Sequence, residues 1–192
     1  MKVLGISGSP RRGGNTDLVL DKALKGATSS GADTEKIVLE DLDISPCAIE
    51  EYEKVNDEGF SVVDDDIHII FRNIQEADAV ILASPVFFGS ISAQMKIMID
   101  RFQCVWLAKY TLQKDLFPDK IPGAFLCVAA TSREDFFENS RSIIRHFCAT
   151  ANIEYKDEIF FGGVDKKAVV AEHPDFMEKA YQLGERLCVT NT

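Results

Sequence analysis

The sequence predicts a single α/β domain over residues 1–192, with a doubly wound, five-stranded parallel sheet and helices on both faces. Three observations predict it. Apolar runs of strand length alternate along the chain with segments of helical periodicity. Two of these runs, "AVILAS" and "GAFLCVAA", are continuously apolar, as strands buried on both faces are. A loop rich in glycine and hydroxyl groups follows the first strand, and α/β sheets bind their ligands at such strand ends.

The N-terminal half supplies three of the predicted strands and two helices. Residues 3–9 form a short apolar run that ends in turn residues, and residues 15–25 space their leucines and valine at helical intervals. Residues 34–42 alternate weakly and predict the second strand. Residues 66–77 place four apolar side chains at helical spacing, and the buried run at residues 79–84 predicts the third strand.

The C-terminal half continues the alternation. An amphipathic helix is predicted over residues 92–106, a buried strand over 123–130, a helix over 135–151, a strand that includes 159–161, and a closing helix over 174–188. Right-handed crossovers then favour the flavodoxin-like strand order 2-1-3-4-5. The ligand site is expected near the carboxyl ends of the strands, in the loops that follow Ser7, Ser84 and Ala130.

Charge and composition exclude several classes of protein. The net charge is −10, and residues 40–66 contain eleven acidic residues and one basic residue, so an acidic excursion is expected at about residues 43–66. Such a surface repels nucleic acid and anionic membranes. No apolar run reaches the roughly 20 residues that cross a bilayer, and no signal-peptide pattern is present, so we expect a cytoplasmic protein. The five cysteines form no CxxC pair, which argues against a disulfide framework and a thiolate zinc site.

The loop at residues 8–16, "GSPRRGGNT", has the composition of an anion-binding loop. A Walker loop needs a lysine where Gly14 stands, and the dinucleotide fingerprint needs a glycine where Pro10 stands. What remains is a loop that leads into a helix N-terminus, where backbone N–H groups and the helix dipole favour a phosphate. Ser9, Asn15 and Thr16 add side-chain donors, and Arg11 adds charge. These residue types are also common caps and turn formers, so a purely structural loop is the alternative.

A second loop strengthens the binding hypothesis. Ser84 ends the third strand, and the segment after it contains two aromatic residues and a glycine, Phe87, Phe88 and Gly89. Aromatic side chains usually belong to a core. At a strand end opposite a phosphate loop, they are suited to a flat ring that packs against backbone amides.

These motifs resemble those of NADPH-dependent FMN reductases, and the iron–sulfur flavoprotein branch is the most similar. The resemblance rests on Gly8-Ser9-Pro10-Arg11 with Asn15-Thr16, on Ser84-Pro85-Val86-Phe87-Phe88-Gly89-Ser90, on Met95-Lys96 with Asp100-Arg101-Phe102, and on the stretch at 161–167. It implies tightly but non-covalently bound FMN, NAD(P)H as co-substrate, and a homodimer or homotetramer. It implies that Ser9, Arg11, Asn15 and Thr16 hold the FMN phosphate. The isoalloxazine would contact Pro85, Val86, Phe87, Phe88, Gly89 and Ser90, with a further edge from Thr131 and Ser132.

The sequence departs from that family at two places. Relatives often carry a glycine-rich loop after the fourth strand, whereas this chain reads "ATSRED" at residues 130–135. The iron–sulfur branch carries four cysteines before a paired aspartate. Here Cys47 matches the first, but Glu50, Glu53 and Ser61 stand at the other three positions. A four-iron cluster normally needs four thiolates, so no iron–sulfur cluster and no other metal is expected.

The function that the resemblance favours is an oxidoreductase in which FMN takes hydride from NAD(P)H and reduces a small acceptor such as a quinone or a flavin. No side chain is predicted to be catalytic, because the flavin carries the chemistry. Two alternatives remain: a non-enzymatic electron carrier whose acidic surface meets a basic protein partner, and a flavin-fold protein without activity.

Overall fold

The computed structural model describes residues 1–48 and 55–189. Six strands form its sheet: β1 (Lys2–Ser7), β2 (Asp33–Val38), β3 (Ala79–Phe87), β4 (Ser90–Ile91), β5 (Ile121–Val128) and β6 (Ile153–Phe161). Five of them are parallel and lie in the spatial order β2-β1-β3-β5-β6, whereas the two-residue β4 folds back antiparallel on the end of β3. The parallel strands thus have the predicted doubly wound, flavodoxin-like order, and the fold class is confirmed; β4 is an addition.

Six α-helices connect and cover the strands within the described residues: α1 (Asn15–Ser29), α2 (Ile67–Glu76), α3 (Ala93–Arg101), α4 (Gln103–Tyr110), α5 (Glu134–Thr150) and α6 (Pro174–Cys188). Short 3-10 turns lie at Leu39–Asp41 and Val169–Glu172. Of the helices described, none combines the length and the apolar character that a membrane crossing requires.

The core is split by the sheet into two layers. Alternate residues of each central strand point to opposite faces, so that Leu4 and Leu82 pack toward one layer while Val3 and Ile81 pack toward the other. Helices α1 and α6 cover the second layer and contact each other closely. Helices α2 to α5 cover the first layer. This arrangement leaves the carboxyl ends of the strands open to the connecting loops.

Two predicted elements differ from those observed. The second strand ends at Val38, because a 3-10 turn closes when the Leu42 N–H donates to the Leu39 carbonyl. The helix predicted over residues 92–106 is two helices. The Phe102 N–H bonds the Ile99 carbonyl over three residues and ends α3, and α-helical bonding resumes when the Trp106 N–H donates to the Phe102 carbonyl.

Candidate functional site

A cavity of about 290 Å³ lies at the carboxyl ends of the parallel strands, and we call it the strand-end pocket. The end of β3 and the segments that follow β1, β5 and β6 meet there. The pocket is lined by Ser9, Arg11, Gly14, Asn15, Thr16, Pro85, Val86, Phe87, Val128, Ala129, Ala130, Val164, Asp165 and Lys167. It therefore lies where the strand order predicts a ligand site.

The loop after β1 is held in place by its own short-range contacts. The Gly8 N–H donates to the Ala83 carbonyl at 2.8 Å, and a Cβ at Gly8 would come within 2.8 Å of the Ser92 hydroxyl, so a larger residue does not fit there. The Arg11 N–H donates to the Ser9 hydroxyl at 3.2 Å. Gly13 turns the chain with a φ of +63°, which favours glycine, and its N–H donates to the Asp17 carboxylate at 2.9 Å.

Asp17 stabilises this turn by accepting the Gly13 N–H. Burial would raise the pKa of its carboxyl, but Lys36 and the Gly13 N–H stabilise the carboxylate more strongly and hold that pKa below its ordinary value. The side chain is therefore ionised at neutral pH. Its charge is matched by the Lys36 ammonium, which also contacts Asp21 at 2.7 Å.

The pocket's polar end is the start of α1. Gly14 precedes the helix with extended backbone, and no side chain caps the helix. The N–H groups of Asn15 and Thr16 have no intrahelical acceptor, because they belong to the first turn. The Thr16 side chain is only 3% exposed and lines the pocket, and across residues 1–48 and 55–189 its hydroxyl has no hydrogen-bond partner. An unpartnered hydroxyl that reaches the pocket beside free N–H groups is suited to an anion.

The opposite wall of the pocket is mostly apolar. Pro85, Val86 and Phe87 come from the end of β3, and the segment at residues 128–130 comes from the end of β5. The β3 end is fixed by Ser84, whose hydroxyl accepts the Ser92 N–H at 3.0 Å. A cavity with one anion-binding end and one apolar wall matches a ligand that joins a phosphate to a flat ring.

The rest of the second loop lies outside the pocket lining. Phe87 pairs with Ser90 across a tight turn in which Phe88 and Gly89 both have positive φ, 49° and 75°. This turn directs Phe88 into solvent, where it is fully exposed. Gly89 packs on Phe136 instead, and its carbonyl accepts the Asn139 amide at 2.8 Å. Contacts from Phe88, Gly89 and Ser90 to a ring remain a prediction that the pocket lining does not include.

The third predicted loop, which follows β5, also has predicted ring contacts that lie outside the pocket lining. Thr131 and Ser132 are exposed, and neither lines the pocket. Ser132 lies against the loop after β6, because a Cβ at Gly162 would come within 2.5 Å of its hydroxyl. The pocket is lined instead by the preceding residues, Ala129 and Ala130, whose positions at the end of a buried strand could have indicated this.

Sequence reasoning missed the loop after β6. Val164, Asp165 and Lys167 line the pocket beside the start of α1. The signal was available, since the fifth parallel strand also ends at this edge of the sheet.

The same loop changes the role of Asn15. Its amide nitrogen donates to the carbonyls of Val164 and Lys166 at 3.1 and 2.9 Å, so both amide hydrogens are used by this loop.

The acidic excursion is anchored by a buried arginine. Arg101 is 4% exposed and forms an ion pair with Asp65, while its guanidinium donates to the Ser61 hydroxyl and the Ser45 carbonyl, each at 3.0 Å. Burial would raise the pKa of Asp65, but Arg101 and two backbone N–H groups outweigh it and lower that pKa.

Ser61, which the sequence resemblance aligns with a cysteine of the iron–sulfur branch, is thus part of this arginine network. Glu50 and Glu53, the other two substituted positions, lie outside the described residues. Cys47 is half-buried. Within residues 1–48 and 55–189, no group of three or more histidine, cysteine or carboxylate side chains comes together as a metal site.

Comparison with known proteins agrees with this geometry. The profile of the NADPH-dependent FMN reductase family matches residues 1–136. An iron–sulfur flavoprotein of Methanosarcina thermophila is 30% identical over 188 residues, which cover 98% of this chain and 94% of that protein. A second, from Methanocaldococcus jannaschii, is 45% identical over 101 residues, so the match spans 53% of this chain and only 51% of that relative.

The solved structure of an NAD(P)H:quinone oxidoreductase from Methanothermobacter marburgensis superposes with a TM-score of 0.77 over 100% of this chain and 98% of that chain. Their sequences are 20% identical, so this likeness shows the fold alone. The family profile and the Methanosarcina thermophila relative, which matches nearly the whole chain, also show the family. The chain belongs to the NADPH-dependent FMN reductase family of flavin-dependent oxidoreductases.

Proposed function

We propose that this protein binds FMN in the strand-end pocket and uses it to transfer electrons from NAD(P)H to a small organic acceptor such as a quinone or a free flavin. The observation that carries the proposal is the pairing of the uncapped start of α1 with an apolar wall in one cavity. Family membership supplies the identity of the ligand.

The residues divide into two groups by what they offer the flavin. The first-turn N–H groups of α1, the Thr16 hydroxyl and the Arg11 guanidinium would bind the phosphate. Pro85, Val86 and Phe87 would contact the ring and exclude water from one of its faces. When bound, FMN supplies the acceptance of hydride and the onward delivery of electrons. The protein's own task is to hold and orient it, and no side-chain acid, base or nucleophile is assigned.

The test has a binding arm and a turnover arm. Titration of flavin-free protein should quench the fluorescence of about one FMN per chain. Oxidation of NADPH or NADH should then proceed with a quinone as acceptor and should stop when FMN is omitted. Protein that binds FMN but turns over no pyridine nucleotide would instead support the electron-carrier alternative, for which the net charge of −10 is the favouring observation.

We further propose that electrons leave the flavin without an iron–sulfur cluster. Cys47 is the one cysteine in the segment that holds the cluster in the related branch, and Ser61 is engaged by Arg101. The thiols of Cys104, Cys127 and Cys148 are buried in the core, where burial raises their pKa to about 11 or 12 and disfavours the thiolate that binds iron.

We also propose that the protein is a homo-oligomer in which exposed aromatic side chains, Phe88 after β3 and two residues of α4, are covered by a second copy. Phe88 is fully exposed, and Trp106 and Tyr110 are 47% and 65% exposed on α4. Exposed apolar surface of this kind usually marks an interface. Light scattering at micromolar concentration should give a mass at least twice that of the chain, and a monomer mass would contradict the proposal.

A further inference from the structure

The loop after β6 is held rigidly against the phosphate loop. The Val164 N–H donates to the Ala129 carbonyl at 3.2 Å, and the Ala129 N–H donates to the Phe161 carbonyl at 2.8 Å. From the other side, Asn15 donates to the carbonyls of Val164 and Lys166, and its side-chain oxygen accepts the Val170 N–H at 3.1 Å. One side chain at the first residue of α1 therefore makes three hydrogen bonds to a loop some 150 residues away in the sequence.

This loop brings a lysine to the polar end of the pocket. Lys167 lines the pocket, and its Cε lies 3.9 Å from the position that a Cβ on Gly13 would occupy. Its ammonium forms no ion pair with any carboxylate among residues 1–48 and 55–189. Two other cations near the loop are already matched, since Arg12 pairs with Asp41 and Lys36 pairs with Asp17.

Among the residues that the structure describes, three charged side chains line the pocket. Arg11 and Lys167 are positive, and Asp165 is negative. These side chains give the pocket lining a net positive charge, whereas the whole chain has a net charge of −10. These charges lie beside the Thr16 hydroxyl, which reaches the pocket and has no hydrogen-bond partner in the described part of the chain. The positive charge of the lining and the unpartnered Thr16 hydroxyl together indicate that a phosphate binds at the polar end of the pocket.

From these contacts we infer that Lys167 is a binding residue for the phosphate of the flavin, and that Asn15 is a positioning residue that holds Lys167 there. The inference rests on the proposed function. It assigns a different role to Asn15 from that implied by the sequence resemblance, in which the Asn15 side chain itself contacts the phosphate. Both of its amide hydrogens are used by the loop, so only its backbone N–H is available to the anion.

Two flavins that differ only in the phosphate provide the test. FMN and riboflavin are titrated into flavin-free full-length protein, and binding is followed by fluorescence quenching. Lys167→Met should weaken FMN binding about tenfold or more and leave riboflavin binding unchanged, because loss of a hydrogen bond to a charged group costs about that factor. Lys167→Arg should retain most of the affinity. The matched control is Lys166→Met, which removes the same charge from the neighbouring residue, whose side chain does not line the pocket, and should change FMN binding by less than about threefold.

A double-mutant cycle tests the role of Asn15. If Asn15 acts through Lys167, Asn15→Ala should weaken FMN binding in the wild type but add little in the Lys167→Met background. Additive losses would show an independent contact and overturn the positioning role. Wild-type FMN affinity in Lys167→Met, or an equal loss for riboflavin, would overturn the binding role of Lys167. Wild-type protein that binds no FMN would overturn the proposed function itself, a result distinct from both.

Discussion

Replacement of Arg101 by methionine should destabilise the protein by about 3–5 kcal/mol, the usual cost when one partner of a buried ion pair is removed. The structure explains the size of this loss of stability. Arg101 and Asp65 are 4% and 7% exposed. Loss of the guanidinium leaves the Asp65 carboxylate buried, and its remaining donors among the described residues are the N–H groups of Ser45 and Ile67, at 3.0 and 3.1 Å. The Ser61 hydroxyl and the Ser45 carbonyl lose a donor as well.

Urea unfolding followed by circular dichroism measures this loss. The matched control is Lys96→Met on the same helix, which breaks an exposed pair with Asp100 and should cost less than about 1 kcal/mol. The double variant Arg101→Met/Asp65→Asn should recover part of the loss, because it removes the stranded charge. If Arg101→Met costs no more than Lys96→Met, the buried network does not anchor the acidic excursion and the reasoning is refuted.

The same network has a pH dependence of defined sign. The pKa of Asp65 in the folded state lies below its ordinary value of 3.8, so the ion pair contributes its full stability above that value and loses it as the pH falls through the lowered pKa. The stability difference between the wild type and Asp65→Asn should therefore be constant near neutral pH and shrink in acid. A difference that instead grows as the pH falls toward 3 would contradict this account.

Three further predictions follow from the site and the loops around it. Thr16→Val should weaken FMN binding about tenfold and leave riboflavin binding unchanged, because it removes an unpartnered hydroxyl donor at the polar end of the pocket; an equal loss for both flavins would refute the phosphate contact. Ala168→Gly should stabilise the protein by about 0.5–1 kcal/mol in thermal unfolding, since Ala168 has a φ of +63° that glycine adopts without strain; a lower unfolding temperature would be evidence against strain there. Protein purified without oxygen should contain far less than stoichiometric iron and acid-labile sulfide, and near-stoichiometric amounts of both would restore a cluster-based relay.

The fold could be predicted because its signals are local. Continuous apolar runs of strand length and helical spacing between them fixed the order of the elements, and the handedness of crossovers then fixed the order of the parallel strands. The loop after β1 could be singled out for the same reason. Its glycines and hydroxyl residues lie within nine consecutive positions, and all four of its predicted binding residues line the pocket.

The parts of the site that depend on long-range contacts could not be predicted in this way. The role of Asn15 is set by carbonyls about 150 residues away, and no local pattern indicates that both of its amide hydrogens are used. The pairing of Arg101 with Ser61 spans 40 residues. Phe88 is a different case. Phenylalanine rarely adopts positive φ, so the residue type at this position did not indicate the tight turn that directs Phe88 into solvent.

Rapid anaerobic mixing of the FMN-loaded protein with NADPH or NADH tests whether the bound flavin takes hydride from a reduced nicotinamide. The long-wavelength absorbance of the bound flavin is followed after mixing. If the strand-end pocket holds FMN in a position where reduced nicotinamide can reach its ring, this absorbance should bleach within seconds with at least one of the two nucleotides, and it should return when a quinone is added. Bound flavin that keeps its absorbance with both nucleotides would contradict the assignment of this protein as an NAD(P)H-dependent oxidoreductase.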